Sequence, residues 1–209
     1  MTSGGDEHAV PASITDSGKP ERFVLSARQW SLLELCLRPP LRDLHNLAAM
    51  LRSRTTLPIM PLSTQDETGN FDCGVAILNE GLRRDIAAAK TMAGSAFALR
   101  HEGHIAGYYR LRPSSFVRAE DGAAIAIQFL PRLAVNRRDQ SAGMGRALLA
   151  DAIRRTASAG DGTRALYVHA LSEPVMYFYR RFGFRPAPPP VDPLGLFLPV
   201  EDIVQAAEI

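Results

Sequence analysis

The chain has 209 residues, 46% of them hydrophobic and 22% charged, enough for one full domain with an appendage and a sizeable core. A formal net charge of +2 implies no polyanionic partner by itself, and Cys36 and Cys73 stand far apart without His or Cys at ligand spacing, which argues against a disulfide framework or a zinc site. No apolar run approaches the length of a membrane span and the N-terminus has no signal-like apolar region, so a cytoplasmic protein without a membrane partner is expected.

Residues 1–22 are small and polar and read as a disordered N-terminus. Two helical patterns follow in residues 23–54. In the first, Ser26 is the N-cap, Trp30, Leu33, Leu35 and Leu37 are apolar, and Pro39–Pro40 ends the run. In the second, Leu41, Leu44, Leu47 and Leu51 share one face. Two short apolar helices with no core of their own must lie on something else. Residues 55–70 read as a linker leading into a first strand, and residues 71–209 as the main domain.

In that domain, residues 73–92 carry one or two amphipathic helices. Residues 95–112 alternate around a turn containing Gly103, which predicts a hairpin. His101 and His104 are three apart but lie in that turn, so no metal site is expected from them. Residues 123–135 form a long β-rich run broken by Pro131, a residue that sheets tolerate at an edge or a bulge. A helix over 145–158, a strand ending near His169, a short aromatic helix over 173–184, a stiff proline-rich connector and a last strand over 194–200 complete the chain. His169 reads as a hydrogen-bonded histidine.

The stretch 137–149, "RRDQSAGMGRALL", joins the long strand to the helix. Gly143 and Gly145 allow close approach to the main chain, and a helix N-terminus offers unpaired N–H groups and a positive dipole end, which suits a phosphate. The hexamer alone would fit an ordinary helix-capping turn equally well. The element order and the residues "LAVNRRDQSAGMGRALL" resemble the GNAT acetyltransferase superfamily. That resemblance implies a mixed α/β fold whose central sheet is splayed at the acetyl-CoA strand, with helices on both faces. It implies an acetyl-CoA-dependent N-acyltransferase that needs no metal. The pantetheine arm would meet Leu133, Ala134 and Val135, beside the bulge expected at Pro131. The pyrophosphate would meet Arg138, Gln140, Ser141, Ala142, Gly143, Met144, Gly145 and Arg146. By residue type alone Tyr179 is a core aromatic, like its neighbours Tyr177, Phe178, Phe182 and Phe184. By the resemblance it is the general acid that protonates the departing thiolate.

Residues 71–200 are similar, more narrowly, to GNAT toxins of bacterial toxin–antitoxin pairs, through "FDCGVAILNEGLRR", "LPRLAVNRR", "ALYVHALSE" and "FYRRFGF". The likeness implies acetylation of the α-amine of aminoacyl-tRNA and a block of translation. Candidate tRNA contacts are Arg83, Arg84, Lys90, Arg137, Arg154, Arg180 and Arg181, with Arg138 beside them; arginines on a helix are otherwise a solvated face. Residues 23–54 resemble the toxin-binding C-terminal tail of a ribbon-helix-helix antitoxin, which implies inhibition in cis with Trp30 as the anchor. A homodimer is among the assemblies this allows. Alternatives are a small-molecule or protein N-acetyltransferase, a catalytically silent binding partner, and N-terminal helices that merely extend the fold. The chain departs from the family pattern at Gly81, where an aromatic is usual and packing is expected to loosen, at Asp139, and at Ser141, which replaces a glycine.

Overall fold

In the computed structural model, which describes residues 21–37, 44–53, 58–91, 95–160, 162–187 and 192–209, eight strands form one mixed sheet and six α-helices lie against it. The sheet is built around two long strands, β4 (His104–Arg118) and β5 (Ala124–Val135), antiparallel from Gly107↔Val135 to Val117↔Ala124. On the far side of β5, β6 (Ala165–His169) runs parallel to it, followed by β8 (Gly195–Pro199) and the short β7 (Arg185–Pro186). On the other edge of β4, β3 (Ala96–His101) pairs with its first half, and β2 (Ile59–Pro61) lies beyond β3. The β3–β4 connection is Glu102-Gly103, both at positive φ (47° and 75°), which is the two-residue turn whose twist matches a hairpin. The mixed α/β architecture expected from the sequence is the one observed.

The second half of β4 has a different neighbour. β1 (Glu21–Leu25) pairs parallel with Ser114–Arg118, on the stretch of edge that β3 leaves open. Glu21 and Arg22 are therefore the first rungs of a strand rather than part of a disordered terminus; residues 1–20 lie outside the described residues. The chain then turns into α1 (Ala27–Leu37). Ser26 accepts from the Gln29 N–H at 3.5 Å while the Gln29 side chain accepts from the Ser26 N–H at 2.8 Å, a reciprocal N-terminal cap. Trp30, Leu33 and Leu37 are buried in one apolar cluster with Phe116, Ile127, Phe129, Tyr167 and Phe197. Phe23 of β1 meets Phe129 and Tyr167 edge-on at 5.3 and 5.1 Å. Leu35, expected on the apolar face, is instead exposed. Pro39, Pro40 and Leu41 lie outside the described residues.

The second N-terminal helix, α2 (His45–Arg52), sinks Leu47, Ala48 and Met50 into the main core, shared with α4 (Met144–Ala157) and α6 (Val200–Glu208). The helical pattern after Cys73 is a single helix, α3 (Ala76–Ala88). Gly81 on α3 does not loosen the packing. A Cβ there would lie 2.7 Å from Arg132 Cδ and 2.9 Å from the Tyr108 hydroxyl, so neighbouring side chains already fill the space.

Candidate functional site

The site begins at the proline in β5. Arg110 pairs with Arg132 and Arg112 with Phe129, so Leu130 and Pro131 together face the single residue Leu111. This is a β-bulge, and proline fits it because it has no N–H to give to a ladder. The last pair between β5 and β6 is Leu130↔Val168. From Pro131 onward β5 follows β4 and parts from β6, opening a wedge in the sheet. The Asn136 N–H donates to the Ala106 carbonyl at 2.8 Å. By the alternation of an antiparallel ladder, the main-chain groups of Leu133 and Val135 then face the wedge. Ala134, expected with them, turns its main chain toward β4, and its side chain is buried under α3.

At the end of β5, a 3-10 turn (Arg137–Asp139) leads into the glycine-rich stretch. Gln140 braces the turn by donating to the carbonyls of Val135 (3.1 Å) and Cys73 (3.3 Å). Ser141 (φ 69°) and Gly143 (φ 79°) are both left-handed and swing the chain into α4, with Gly143 as N-cap. No side chain among the described residues caps this helix, so its first N–H groups are open to an anion. A Cβ at Gly145 would meet only Val135 and Phe178, at 3.6 and 3.9 Å. Among the described residues nothing crowds that position; its bareness leaves the main chain approachable. Ala142 is exposed, whereas Met144 is anchored in the core and offers only its main chain. Arg138 is half exposed beside Asp139 (3.6 Å). Arg146 does not reach toward the turn but donates to the Ala49 carbonyl of α2 at 3.0 Å.

Tyr179 lies on α5 (Glu173–Arg180), which Phe178 brings against Gly145. Its ring packs on Phe178 and Phe184 at 5.2 and 5.4 Å, and it is 6% exposed. Its hydroxyl has no hydrogen-bond partner among the described residues. Burial pushes the phenol above its ordinary pKa, so it keeps its proton at neutral pH. His169, at the end of β6, is held by Asp192 at 2.6 Å and is a satisfied histidine, as its position suggested.

The expected basic residues lie on several different elements. Arg83 and Arg84 on α3 each pair with Glu80 at 3.3 Å, and Lys90 is exposed just beyond α3. Arg137 lies over Gly74, where a Cβ would come within 2.8 Å of its Nε, and its main-chain N–H donates to the Asp72 carbonyl. Arg180 and Arg181 are exposed at the end of α5, with Arg180 5.9 Å from the Tyr177 ring centre. Arg154 is engaged inside the molecule, donating to the carbonyls of Leu51 (2.7 Å) and Ser53 (3.2 Å). A buried group that the sequence did not reveal is Asp85 on α3, which takes hydrogen bonds from both Arg110 and Arg132. Arginines at inward positions of two apolar strands were the available signal.

Comparison with known proteins fits this geometry. A family model for the GNAT acetyltransferase domain matches residues 64–196. A tRNA-acetylating toxin of Mycobacterium tuberculosis is 34% identical over 152 residues, covering 68% of this chain and 90% of that protein. Among solved structures, a mutant AtaT toxin bound to the C-terminus of the antitoxin AtaR and acetyl-CoA matches with a TM-score of 0.65 and 30% identity, over 74% of this chain and all of that one. AtaT complexed with acetyl-methionyl-tRNA matches with a TM-score of 0.63 and 29% identity, over 71% and 98% of the two chains.

Proposed function

Because the chain belongs to the GNAT acetyltransferase family and is an N-acetyltransferase, we propose that it moves the acetyl group of acetyl-CoA onto the α-amine of aminoacyl-tRNA, and that residues 21–53 restrain it in cis. The likeness to a tRNA-acetylating toxin across most of the chain carries the choice of acceptor. In this reading the pyrophosphate sits on the open N-terminus of α4 and the pantetheine arm adds along Leu133 and Val135 in the wedge. The acceptor amine attacks the thioester carbonyl carbon. The Val135 N–H stabilises the developing oxyanion, the C–S bond breaks, and Tyr179 gives its proton to the departing thiolate while the amine sheds one to solvent. Arg83, Arg84, Lys90, Arg137, Arg180 and Arg181 are the candidates to hold the tRNA backbone.

Five contacts support the restraint. β1 occupies the free edge of β4, Trp30 is buried in the sheet's apolar cluster, Arg185 donates to the Cys36 carbonyl at 2.7 Å, and Arg146 and Arg154 both bond α2. Tethering gives such a segment an effective concentration of about millimolar, so even a weak clamp persists.

The test is acetyl transfer from labelled acetyl-CoA to charged tRNA. It compares the full chain, its Trp30→Ala variant and a chain beginning at Thr55. Label from the shortened chain and the variant, but little from the full chain, supports both parts of the proposal. Equal label from all three keeps the acceptor and discards the restraint. Acetyl-CoA binding with no label from any of them points to a small-molecule or protein acceptor, or to a silent enzyme.

A further inference from the structure

The β3–β4 hairpin and the 3-10 turn before Gln140 meet at three side chains. His101 and His104 are the last facing pair of the hairpin, opposite each other across the Glu102-Gly103 turn. Asp139 comes from the far side, 8% exposed, with one carboxylate oxygen 2.8 Å from His104 Nε2 and the other 3.7 Å from His101 Nδ1. All three ligand atoms lie within 4.8 Å of one another. His101 Nδ1 is buried and has no hydrogen-bond partner, although it points at the carboxylate.

From this geometry we propose that His101, His104 and Asp139 bind a divalent transition-metal ion, with zinc the best match. Two imidazoles and one carboxylate at bond lengths of about 2.0–2.2 Å are zinc's usual borderline donors, and a tetrahedral ion would set them about 3.3 Å apart. The two nitrogen–carboxylate distances, each to a different oxygen, lie on either side of that spacing and all three donors fall within 4.8 Å of one another, so side-chain rotations close the site. The ion takes the orphaned Nδ1 lone pair, which the hairpin otherwise leaves buried and unused. Water fills the fourth position. Arg138, 3.6 Å from the carboxylate, is exposed enough to swing away. The sequence argued against a metal here because the two histidines lie in a hairpin turn; the third ligand arrives from a segment 35 residues further on. Acetyl transfer needs no metal, so the ion's role is to cross-link the hairpin to the turn that carries Gln140.

The test is titration of metal-stripped full-length protein with zinc alone, followed by calorimetry and thermal unfolding, and then with cobalt(II) as an optical probe. The expected result is one zinc per chain and a raised Tm. Cobalt should give visible d–d bands without the thiolate charge-transfer band that Cys36 or Cys73 would contribute. His101→Ala should weaken binding at least tenfold while leaving the metal-free Tm unchanged, because its Nδ1 has no hydrogen bond to lose. Asp139→Asn should lower affinity by a similar factor. No uptake up to about 0.1 mM zinc, far weaker than protein zinc sites bind, or uptake that survives His101→Ala, overturns the proposal.

Discussion

Arg146 donates to the main-chain carbonyl of Ala49 at 3.0 Å, so a cation one residue past the bare Gly145 is held by the N-terminal segment and not by the turn it follows. This gives a context-dependent prediction. In the full chain, Arg146→Ala should leave acetyl-CoA affinity nearly unchanged. In a chain beginning at Thr55 the guanidinium is free for a phosphate. Its loss should there weaken affinity about 10- to 150-fold, the value of one charge-assisted hydrogen bond of about 1.5–3 kcal/mol. Calorimetric titration of the four proteins measures it. An equal loss in both backgrounds would show that α2 does not hold Arg146 in solution.

Tyr179→Phe removes only a hydroxyl that has no hydrogen-bond partner among the described residues. The Tm should therefore not fall and KM for acetyl-CoA should stay put, while kcat drops about 10²–10⁴-fold, the usual worth of a positioned general acid. The sign of the pH effect follows from burial, which raises the phenol's pKa. The proton-bearing form persists as pH rises, so loss of Tyr179's proton should cause no fall in kcat below about pH 10, the ordinary tyrosine value. Steady-state kinetics across that range decides it.

Ser141 adopts φ 69° with an L side chain in an exposed turn. The left-handed conformation costs a non-glycine residue about 1–2 kcal/mol, and glycine gives back part of that in unfolded-chain entropy. Ser141→Gly should then stabilise the protein by about 1 kcal/mol, seen as a Tm higher by about 2–4 °C for a chain of this size.

Asp85 is enclosed between Arg110 and Arg132, with side-chain exposures of 0%, 3% and 5%. Asp85→Asn removes the counter-charge of two buried cations and should destabilise by about 3–5 kcal/mol in a denaturant titration. Replacing all three by apolar residues of similar volume should cost much less, because the desolvation penalty disappears with the charges.

Asp192 is half-buried, which by itself raises its pKa. Hydrogen bonds from His169, Tyr167 and the Leu194 N–H outweigh that and hold the carboxyl below its ordinary 3.8. A carboxyl whose folded pKa is depressed adds stability in full above the unfolded value and loses it as pH falls through the folded one. Below about pH 4 the native protein should therefore lose stability more steeply than an Asp192→Asn variant, which equilibrium unfolding at a series of pH values would measure.

What the sequence made legible was local. The caps around Ser26, the turn glycines and the proline that breaks β5 each act within a few residues of themselves, so their patterns could be read directly. The missed features depend on distant partners. "RFVL" is a strand only because β4 leaves an edge open for it. The helix after Pro199 was overlooked because it was read into the last strand and the tail beyond. Gly81 looked like a packing defect until Arg132, from another element, was seen to fill its space. Within the site, the turn and Tyr179 stand out through the resemblance to a family, because residue type alone reads them as a capping turn and a core aromatic. The engagement of Arg146 and Arg154 by α2, the orientation of Ala134 and the arrival of Asp139 beside the hairpin histidines do not, because each is a relation between segments far apart in the chain.

The parallel pairing of β1 with β4 also has a consequence in time. A ribosome releases β1, α1 and α2 before any other strand of the sheet they lie on. When β4 and β5 emerge and the wedge forms, the strand that takes β4's open edge is already present, on the same molecule and in equal number. Each copy of the sheet meets its own N-terminal segment at birth, and no imbalance of synthesis can leave one without the other.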